Sequence, residues 1–191
     1  MIEFRKFLEE HLDVSDSDWT FIAKRLQKSS SSKGDVLTSL GDIENNLYFL
    51  LDGAFRLFYE HETKDTTLNI GFPGSFMSSY TSYLTREASD FVLESLTDST
   101  YIFITHNNLL EIYDQTACGQ QLGRILTEQI FLHTSKRETA FMLKSPTQRY
   151  LDLFEDQPRL IQEIPQKYLS SYIGVTPQAL SRIRAKLSET D

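Results

Sequence analysis

The stretch IPQKYLSSYIGVTPQALSRIRAKL at residues 164–187 carries the strongest structural signal in the chain. Pro165 suits the start of a first helix, where its missing N–H would have no partner in any case. Gly174 can turn the chain sharply because glycine tolerates a positive φ. Thr176 and Pro177 then provide the cap and the first residue of a second helix. This order of helix, glycine turn and helix predicts a helix-turn-helix motif.

Apolar residues recur where the two helices of such a motif pack on each other. They are Leu169, Ile173, Val175, Leu180 and Ile183. Ser170 is small at the point where the helices must approach closely. Because glycine in a turn is common by chance but a match at every demanding position is not, the spacing rather than the glycine carries this prediction.

Polar and basic side chains occupy the opposite face of the second helix. Glutamine pairs bidentately with adenine, and arginine with guanine, so we expect base contacts from Gln178 and Arg182. Arg184 and Lys186 are expected to contact phosphates, which hold the register of a complex without reading sequence. Thr176, at the helix start, can donate to a further phosphate. The sequence thus predicts a helix that reads the major groove of double-stranded DNA.

Charge is distributed unevenly over the 191 residues, whose net charge is −8. Residues 160–187 hold four basic residues and one acidic residue, whereas residues 1–159 hold 15 basic and 24 acidic residues. An acidic body with a basic segment near its end is compatible with a nucleic-acid reader that keeps its positive charge local. A few basic residues on one helix can equally form an ordinary solvated face, so charge alone does not decide.

Composition excludes several classes of protein. Hydrophobic residues make up 40% and charged residues 24% of the chain, as in globular proteins. No stretch approaches the roughly 20 apolar residues that cross a bilayer, and the first residues include acids instead of the apolar run of a signal peptide, so we expect a cytoplasmic protein. Cys118 is the only cysteine, which rules out an intrachain disulfide, a four-cysteine zinc site and a cysteine-ligated iron–sulfur cluster.

The first ~28 residues are predicted to be helical, and the serine run at residues 29–32 is interpreted as a connector. From Lys33 to Thr105 the pattern changes to short strands separated by turn residues, which is typical of an antiparallel barrel or sandwich. The predicted strands are Leu47–Leu51, Ala54–His61, Thr66–Phe72, Ser89–Leu96 and Thr100–Thr105.

A long helix is predicted over Thr116–Leu143, which contains no proline. At 1.5 Å per residue it would be ~42 Å long and would outreach a small barrel, so a second copy of the chain could cover its apolar stripe. The alternative is a helix folded back on its own barrel. The residues expected on the dimer stripe are Leu122, Ile125, Leu126, Gln129, Leu132 and His133. Lys144-Ser145-Pro146 ends this helix.

The order of elements resembles the Crp/Fnr family of bacterial transcription regulators. The segments that carry the resemblance are GVTPQALSRIRAKL at 174–187 and KGDVLTSLGDIENNLYFLLDGAFRLFY at 33–59. The second is similar to the opening of the cyclic-nucleotide-binding-like barrel, with glycine turns at Gly34, Gly41 and Gly53. The resemblance implies an α+β fold in which an antiparallel β-roll or jelly-roll barrel with flanking helices precedes a long dimerisation helix and a C-terminal helix-turn-helix domain.

The same resemblance implies a division of the chain and a set of partners. Residues 1–115 would form the sensor domain, 116–143 the dimerisation helix and 144–191 the DNA-binding domain. The partners would be a second copy of the chain, double-stranded DNA and RNA polymerase, with no membrane. The base readers would be Pro177, Gln178, Ser181 and Arg182, of which the proline can offer only apolar contact.

The effector is where the sequence departs from the family pattern. Members that bind cyclic nucleotides carry a Gly-Glu pair for the ribose and an Arg-Ser or Arg-Thr pair for the phosphate. Here the corresponding pairs are Gly74-Ser75 and Ala88-Ser89, and Arg86 stands three residues before the serine. The resemblance places the effector pocket at these five residues, but we expect that cyclic AMP does not bind. A different small-molecule effector, or none, remains open.

Two functions other than transcription regulation are considered from the same residues: a metal-dependent barrel enzyme and a ligand-sensing module. A metal-dependent barrel enzyme needs clustered histidines and a carboxylate, but the strand region has only His61, with His106 just past its end. We therefore expect neither an enzyme nor a metal site. A ligand-sensing module whose helix-turn-helix makes protein contacts instead of DNA contacts is the second alternative, and the acidic net charge leaves room for it.

Overall fold

The structure is a computed structural model that describes residues 1–62 and 65–188. Its helices are α1 (Ile2–His11), α2 (Asp16–Ala23), α3 (Tyr80–Thr85), α4 (His106–Gln115), α5 (Gly119–Leu143), α6 (Pro146–Asp156), α7 (Pro158–Glu163), α8 (Gln166–Tyr172) and α9 (Pro177–Ser188). Its strands are β1 (Gln27–Ser31), β2 (Val36–Thr38), β3 (Asn46–Asp52), β4 (Phe55–Tyr59), β5 (Thr66–Gly71), β6 (Phe76–Met77), β7 (Val92–Ser95) and β8 (Ser99–Thr105). The predicted α+β class is confirmed.

Two four-stranded antiparallel sheets form the barrel. The first has the order β1-β8-β3-β6 and the second the order β2-β7-β4-β5. Successive side chains of a strand point to opposite faces, and β3 shows the consequence. Its Tyr48 and Leu50 pack with Phe55 and Leu93 in a core formed by residues of both sheets. Leu47 and Phe49 instead face the helices on the outer side of the first sheet.

Helices α1, α2, α4 and α5 cover the outer face of the first sheet. The Phe4 ring of α1 meets the Phe49 ring edge-on, with 5.2 Å between centroids. Leu122 and Leu126, from the first half of α5, are buried in the same cluster. This half of α5 therefore belongs to the core of its own barrel.

The four terminal helices pack on the outer face of the second sheet. Ala54, Ile70 and Leu96 of the barrel share one buried cluster with Leu160 of α7 and Leu169 of α8. Helix α8 also lies against β5, which is an edge strand of its sheet. The barrel and the helix-turn-helix are thus joined by a common apolar core, and the predicted division of the chain at residue 144 remains a prediction.

The strand predictions are confirmed at their centres, and the structure adds three strands that apolar pattern does not reveal. Three of the four serines interpreted as a connector, residues 29–31, lie in β1, where residues 27–31 pair with β8. A ladder needs only backbone groups, so serines serve as well as apolar residues. The long helix begins at Gly119 and not at Thr116. A Cβ on Gly119 would lie 2.2 Å from the Ile112 carbonyl oxygen, so the glycine allows α5 to cross closely over α4.

Candidate nucleic-acid interface and effector cavity

The turn between α8 and α9 has the geometry that its sequence predicts. Gly174 adopts a φ of 76°, in the left-handed region that favours glycine. The Val175 N–H donates to the Ser170 carbonyl at 2.9 Å and closes the turn. Ser170 is buried where the helices meet, as expected for a small residue at that point. A Cβ on Gly174 would lie 2.5 Å from a ring carbon of Phe141, so this turn is also packed against the end of α5.

Helix α9 is fixed at its start and along its inner face. The Ala179 N–H donates to Thr176 Oγ1 at 3.2 Å, which is the predicted cap. Leu180 is fully buried, and Ile183 and Leu187 are half-buried in the same cluster. The helix therefore presents one defined face to solvent.

The predicted DNA-contacting residues fall into two groups. Gln178, Ser181, Arg182 and Lys186 are exposed on α9. Arg184 is half-buried, and its Nε donates to the Tyr150 hydroxyl at 3.1 Å, so the structure gives this arginine a packing role on α6 that its sequence position does not reveal.

Gln166, a residue that the sequence did not single out, supports the start of α9. Its Nε2 donates to Ser181 Oγ at 2.6 Å and to the Pro177 carbonyl at 2.8 Å. The two helices of the motif are thus held together by polar contacts next to the exposed face. Pro177 itself is half-buried, and Thr176 is exposed.

A cavity of about 730 Å³ lies between the barrel and α5. Its barrel side is formed by residues 68–78 with Leu57, Tyr80, Thr81 and Phe91, and most of these side chains are apolar or aromatic. The helical side is formed by α5, together with Gln157 between α6 and α7. The residues of α5 that line it are Leu126, Gln129, Ile130, His133, Thr134 and Arg137.

The structure divides the five residues predicted for the effector pocket. Gly74 and Ser75 line the cavity, whereas Arg86, Ala88 and Ser89 do not. The reason is that Arg86 ends α3 with a φ of 63° and turns away. Its Nη1 donates to the Glu44 carbonyl at 2.6 Å, and Nη2 donates to Asn45 Oδ1.

The side chain of Ser89 is also used in hydrogen bonds within the protein. Its buried hydroxyl donates to Phe91 O at 2.7 Å and lies 2.6 Å from Ser79 Oγ. Neither Arg86 nor Ser89 is placed to hold a phosphate in the cavity, so the pocket prediction is corrected to Gly74 and Ser75 together with the α5 residues. Three α5 residues of the cavity were not predicted from the sequence, Ile130, Thr134 and Arg137, and Arg137 is the charged one among them. Its spacing of four from His133 was the available signal.

The residues predicted to form the dimer stripe of α5 lie in three different environments in the structure. Leu122 and Leu126 are 2% exposed and packed in the core of their own barrel, and Ile125 is half-buried. Gln129 and His133 line the cavity. Leu132 is 66% exposed, as is the neighbouring Phe131. The part of the helix that a partner could cover therefore includes these two residues.

We expect the cavity histidine to make stability depend on pH. Burial, then the charges of Arg137 and Lys136, lower the pKa of His133 below 6.5. The folded state then binds fewer protons than the unfolded chain, so the contribution of His133 is present above pH 6.5 and is lost as pH falls through the folded-state value. In urea titrations below pH 6.5, His133→Gln should lose less stability than the parent. Gln129→Ala, which alters the cavity but removes no ionisable group, is the control, and its free energy of unfolding should change with pH as steeply as that of the parent. If the free energy of unfolding of His133→Gln also changed with pH as steeply as that of the parent, the assignment to His133 would be wrong.

Within residues 1–62 and 65–188, no group of three or more histidine, cysteine, aspartate or glutamate side chains is placed to hold a metal ion. No helix in that same part of the chain is long and apolar enough to cross a membrane.

The described chain combines a two-sheet barrel, a long helix and a terminal helix-turn-helix. Residues 28–116 match the sequence profile of the cyclic nucleotide-binding domain family. The whole chain has the fold of the Crp/Fnr regulators, as the sequence resemblance implied. No curated protein matches the chain in sequence.

Solved structures of that fold superpose on nearly the whole chain. FixK2 from Bradyrhizobium japonicum has a TM-score of 0.74 at 13% identity, over 86% of this chain and 85% of its own. A Crp/Fnr family regulator from Eubacterium rectale has a TM-score of 0.69 at 18% identity, over 93% and 85%. The c-di-GMP responsive global regulator CLP from Xanthomonas campestris has a TM-score of 0.68 at 14% identity, over 92% and 93%.

Proposed function

We propose that the chain is a sequence-specific DNA-binding transcription regulator that acts as a homodimer. The observation that carries this proposal is the exposed face of α9, which presents Gln178, Ser181, Arg182 and Lys186 to solvent on a helix fixed by its cap and by Leu180. A helix fixed in this way with a polar face is what the major groove of B-DNA admits. The fold that the chain shares with Crp/Fnr regulators supports the same conclusion.

The charge distribution also favours DNA binding by the C-terminal helices. Residues 164–188 contain Lys167, Arg182, Arg184 and Lys186 and no aspartate or glutamate. The rest of the chain is acidic and would be repelled by phosphates. Binding to DNA is therefore expected only through the helix-turn-helix.

The test is an electrophoretic mobility shift with the DNA upstream of the gene and with fragments selected from a random pool. Binding should weaken steeply between low and moderate salt, because phosphate contacts release counterions from DNA. A chain that dimerises but ignores duplex DNA of every sequence in dilute buffer would favour the alternative in which the helix-turn-helix makes protein contacts.

We expect dimerisation to depend on the exposed side of α5. Ile125, Leu132 and Thr139 recur every seven residues, the spacing of a two-stranded coiled pair. Leu132→Glu should weaken the dimer about 100-fold, since burying a leucine contributes ~1.5–3 kcal/mol and a two-fold interface holds two copies. Sedimentation equilibrium measures the dissociation constant. Leu84→Glu, at an exposed leucine of α3, is the matched control and should remain dimeric; an unchanged dimer in Leu132→Glu would place the interface elsewhere.

Cyclic AMP is expected not to bind in the cavity. Arg86, the arginine that the family pattern places nearest the phosphate, is held by the carbonyls of Glu44 and Tyr83, and Ser75 stands where the ribose-binding glutamate would be. Isothermal titration calorimetry should show no heat of binding at micromolar cyclic AMP. Low-micromolar binding that is lost in Arg86→Ala would overturn this expectation.

A further inference from the structure

Arg137 is the charged side chain of the cavity, and His133 reaches the cavity from the same helix. Over residues 1–62 and 65–188, the lining contains no aspartate and no glutamate. The remaining walls are largely apolar, with Leu68, Ile70 and Phe72 among them. An apolar chamber with a positive end is complementary to a molecule that has an apolar body and one anionic group.

Among the residues that the structure describes, Arg137 has no carboxylate partner. Its Nη1 donates to the Tyr172 carbonyl at 2.9 Å and its Nη2 to the Thr67 carbonyl at 3.0 Å. The guanidinium also lies over the rings of Phe141 and Tyr172, at 4.6 and 4.8 Å from their centroids. In the part of the chain that the structure describes, its charge is met only by these neutral groups, and burial lowers its pKa.

We propose that the cavity binds an apolar carboxylate, aliphatic or aromatic, and that Arg137 holds the carboxylate group. A carboxylate adds an opposite charge and a bidentate geometry that the two carbonyls lack, so it competes well for this arginine. The lining of phenylalanine, leucine and isoleucine side chains takes the rest of the ligand. His133, one helical turn away, contributes a second donor.

The same two hydrogen bonds connect three parts of the molecule. Arg137 belongs to α5, Thr67 to the barrel strand β5 and Tyr172 to helix α8 of the helix-turn-helix. A carboxylate that draws the guanidinium into the cavity would break these two bonds, which are part of what holds α8 against β5. The ligand would then change the orientation of the DNA-reading head, a regulatory role that rests on the proposed function.

Paired probes test the ligand class without DNA. We would titrate the protein with decanoate and decanamide, and with 1-naphthoate and 1-naphthamide, in a calorimeter. Since each pair differs only in charge, at least one acid should bind about tenfold or more tightly than its amide. Arg137→Gln should abolish that preference, and Arg124→Gln, an exposed arginine of the same helix, should keep it.

Two outcomes would overturn the ligand class: equal affinity for acid and amide in both pairs, or no binding of either acid. Because Arg137→Gln could loosen the fold, Ile130→Trp provides a second variant, which fills the cavity from α5 and should block the acids while Arg137 is retained.

Hydrogen exchange tests the coupling separately. With the acid bound, backbone amides of α8 should exchange several-fold faster, whereas those of α1, which is remote from Arg137, should be unchanged. Unchanged exchange in α8 would overturn the coupling. Both measurements are made without DNA, so a failure of the DNA-binding proposal in the mobility-shift assay is recorded independently.

Discussion

Arg182→Ala is expected to abolish most of the sequence preference of the protein. Arg182 is exposed on α9, and the buried Leu180 fixes this helix against the other C-terminal helices. A bidentate contact to guanine contributes ~1–3 kcal/mol of discrimination, which corresponds to roughly 5- to 150-fold per half-site. Competition binding between a selected fragment and a scrambled fragment measures this ratio.

The matched control is Lys186→Ala on the same helix. Loss of a phosphate contact should weaken selected and scrambled DNA about equally and reduce the dependence on salt, without changing their ratio. If Arg182→Ala retained the parental ratio while Lys186→Ala lowered it, the two roles would have to be exchanged.

The second large effect concerns stability. Arg56→Ala is expected to destabilise the fold by about 3 kcal/mol, because it empties the buried site of Arg56 and leaves two half-buried carboxylates without their cation. Arg56 is 2% exposed, its Nη1 lies 2.9 Å from Glu94 Oε1 and 3.6 Å from Asp65 Oδ2, and its Nε donates to Thr67 Oγ1 at 3.0 Å. The Tyr168 ring of α8 packs over the guanidinium at 4.4 Å. Urea unfolding monitored by circular dichroism measures the loss.

Two further variants identify the cause. Arg124→Ala removes an exposed ion pair with Glu128 and should cost within about 1 kcal/mol. Arg56→Met combined with Glu94→Gln should recover much of the stability, since the double variant keeps the buried site filled and no longer leaves the Glu94 carboxylate unpaired. A loss below about 1 kcal/mol in Arg56→Ala would show that the network contributes little.

The sequence predicted the helix-turn-helix closely because its demands are local. The positions of Ser170, Gly174 and Thr176 follow from the sterics of one turn and one cap, and the structure shows each in its expected role. Strands in which apolar and polar residues alternate were also predicted correctly, because that alternation is a local feature of the sequence. Strand β1 was missed because its serines give no pattern, and only the neighbouring β8 turns them into a strand.

The cavity could not be predicted in the same way. Its residues come from the barrel and from α5, and only the packing of the helix on the barrel brings them together. The family pattern pointed to Arg86, which is drawn instead to the loop at Glu44. Arg137 carried no motif, because its two partners lie 35 and 70 residues away along the chain.

The contact between α8 and β5 limits how this architecture can be re-engineered. Ser171 Oγ accepts from the Thr67 N–H at 2.9 Å and donates to the Asp65 carbonyl at 3.1 Å, so the helix completes the hydrogen bonding of a strand edge. A chimaera that exchanged the C-terminal helices for those of a distant homologue would leave that edge bare and prone to pair with other molecules. Replacement of the C-terminal helices in this protein therefore requires that the edge of β5 be redesigned at the same time.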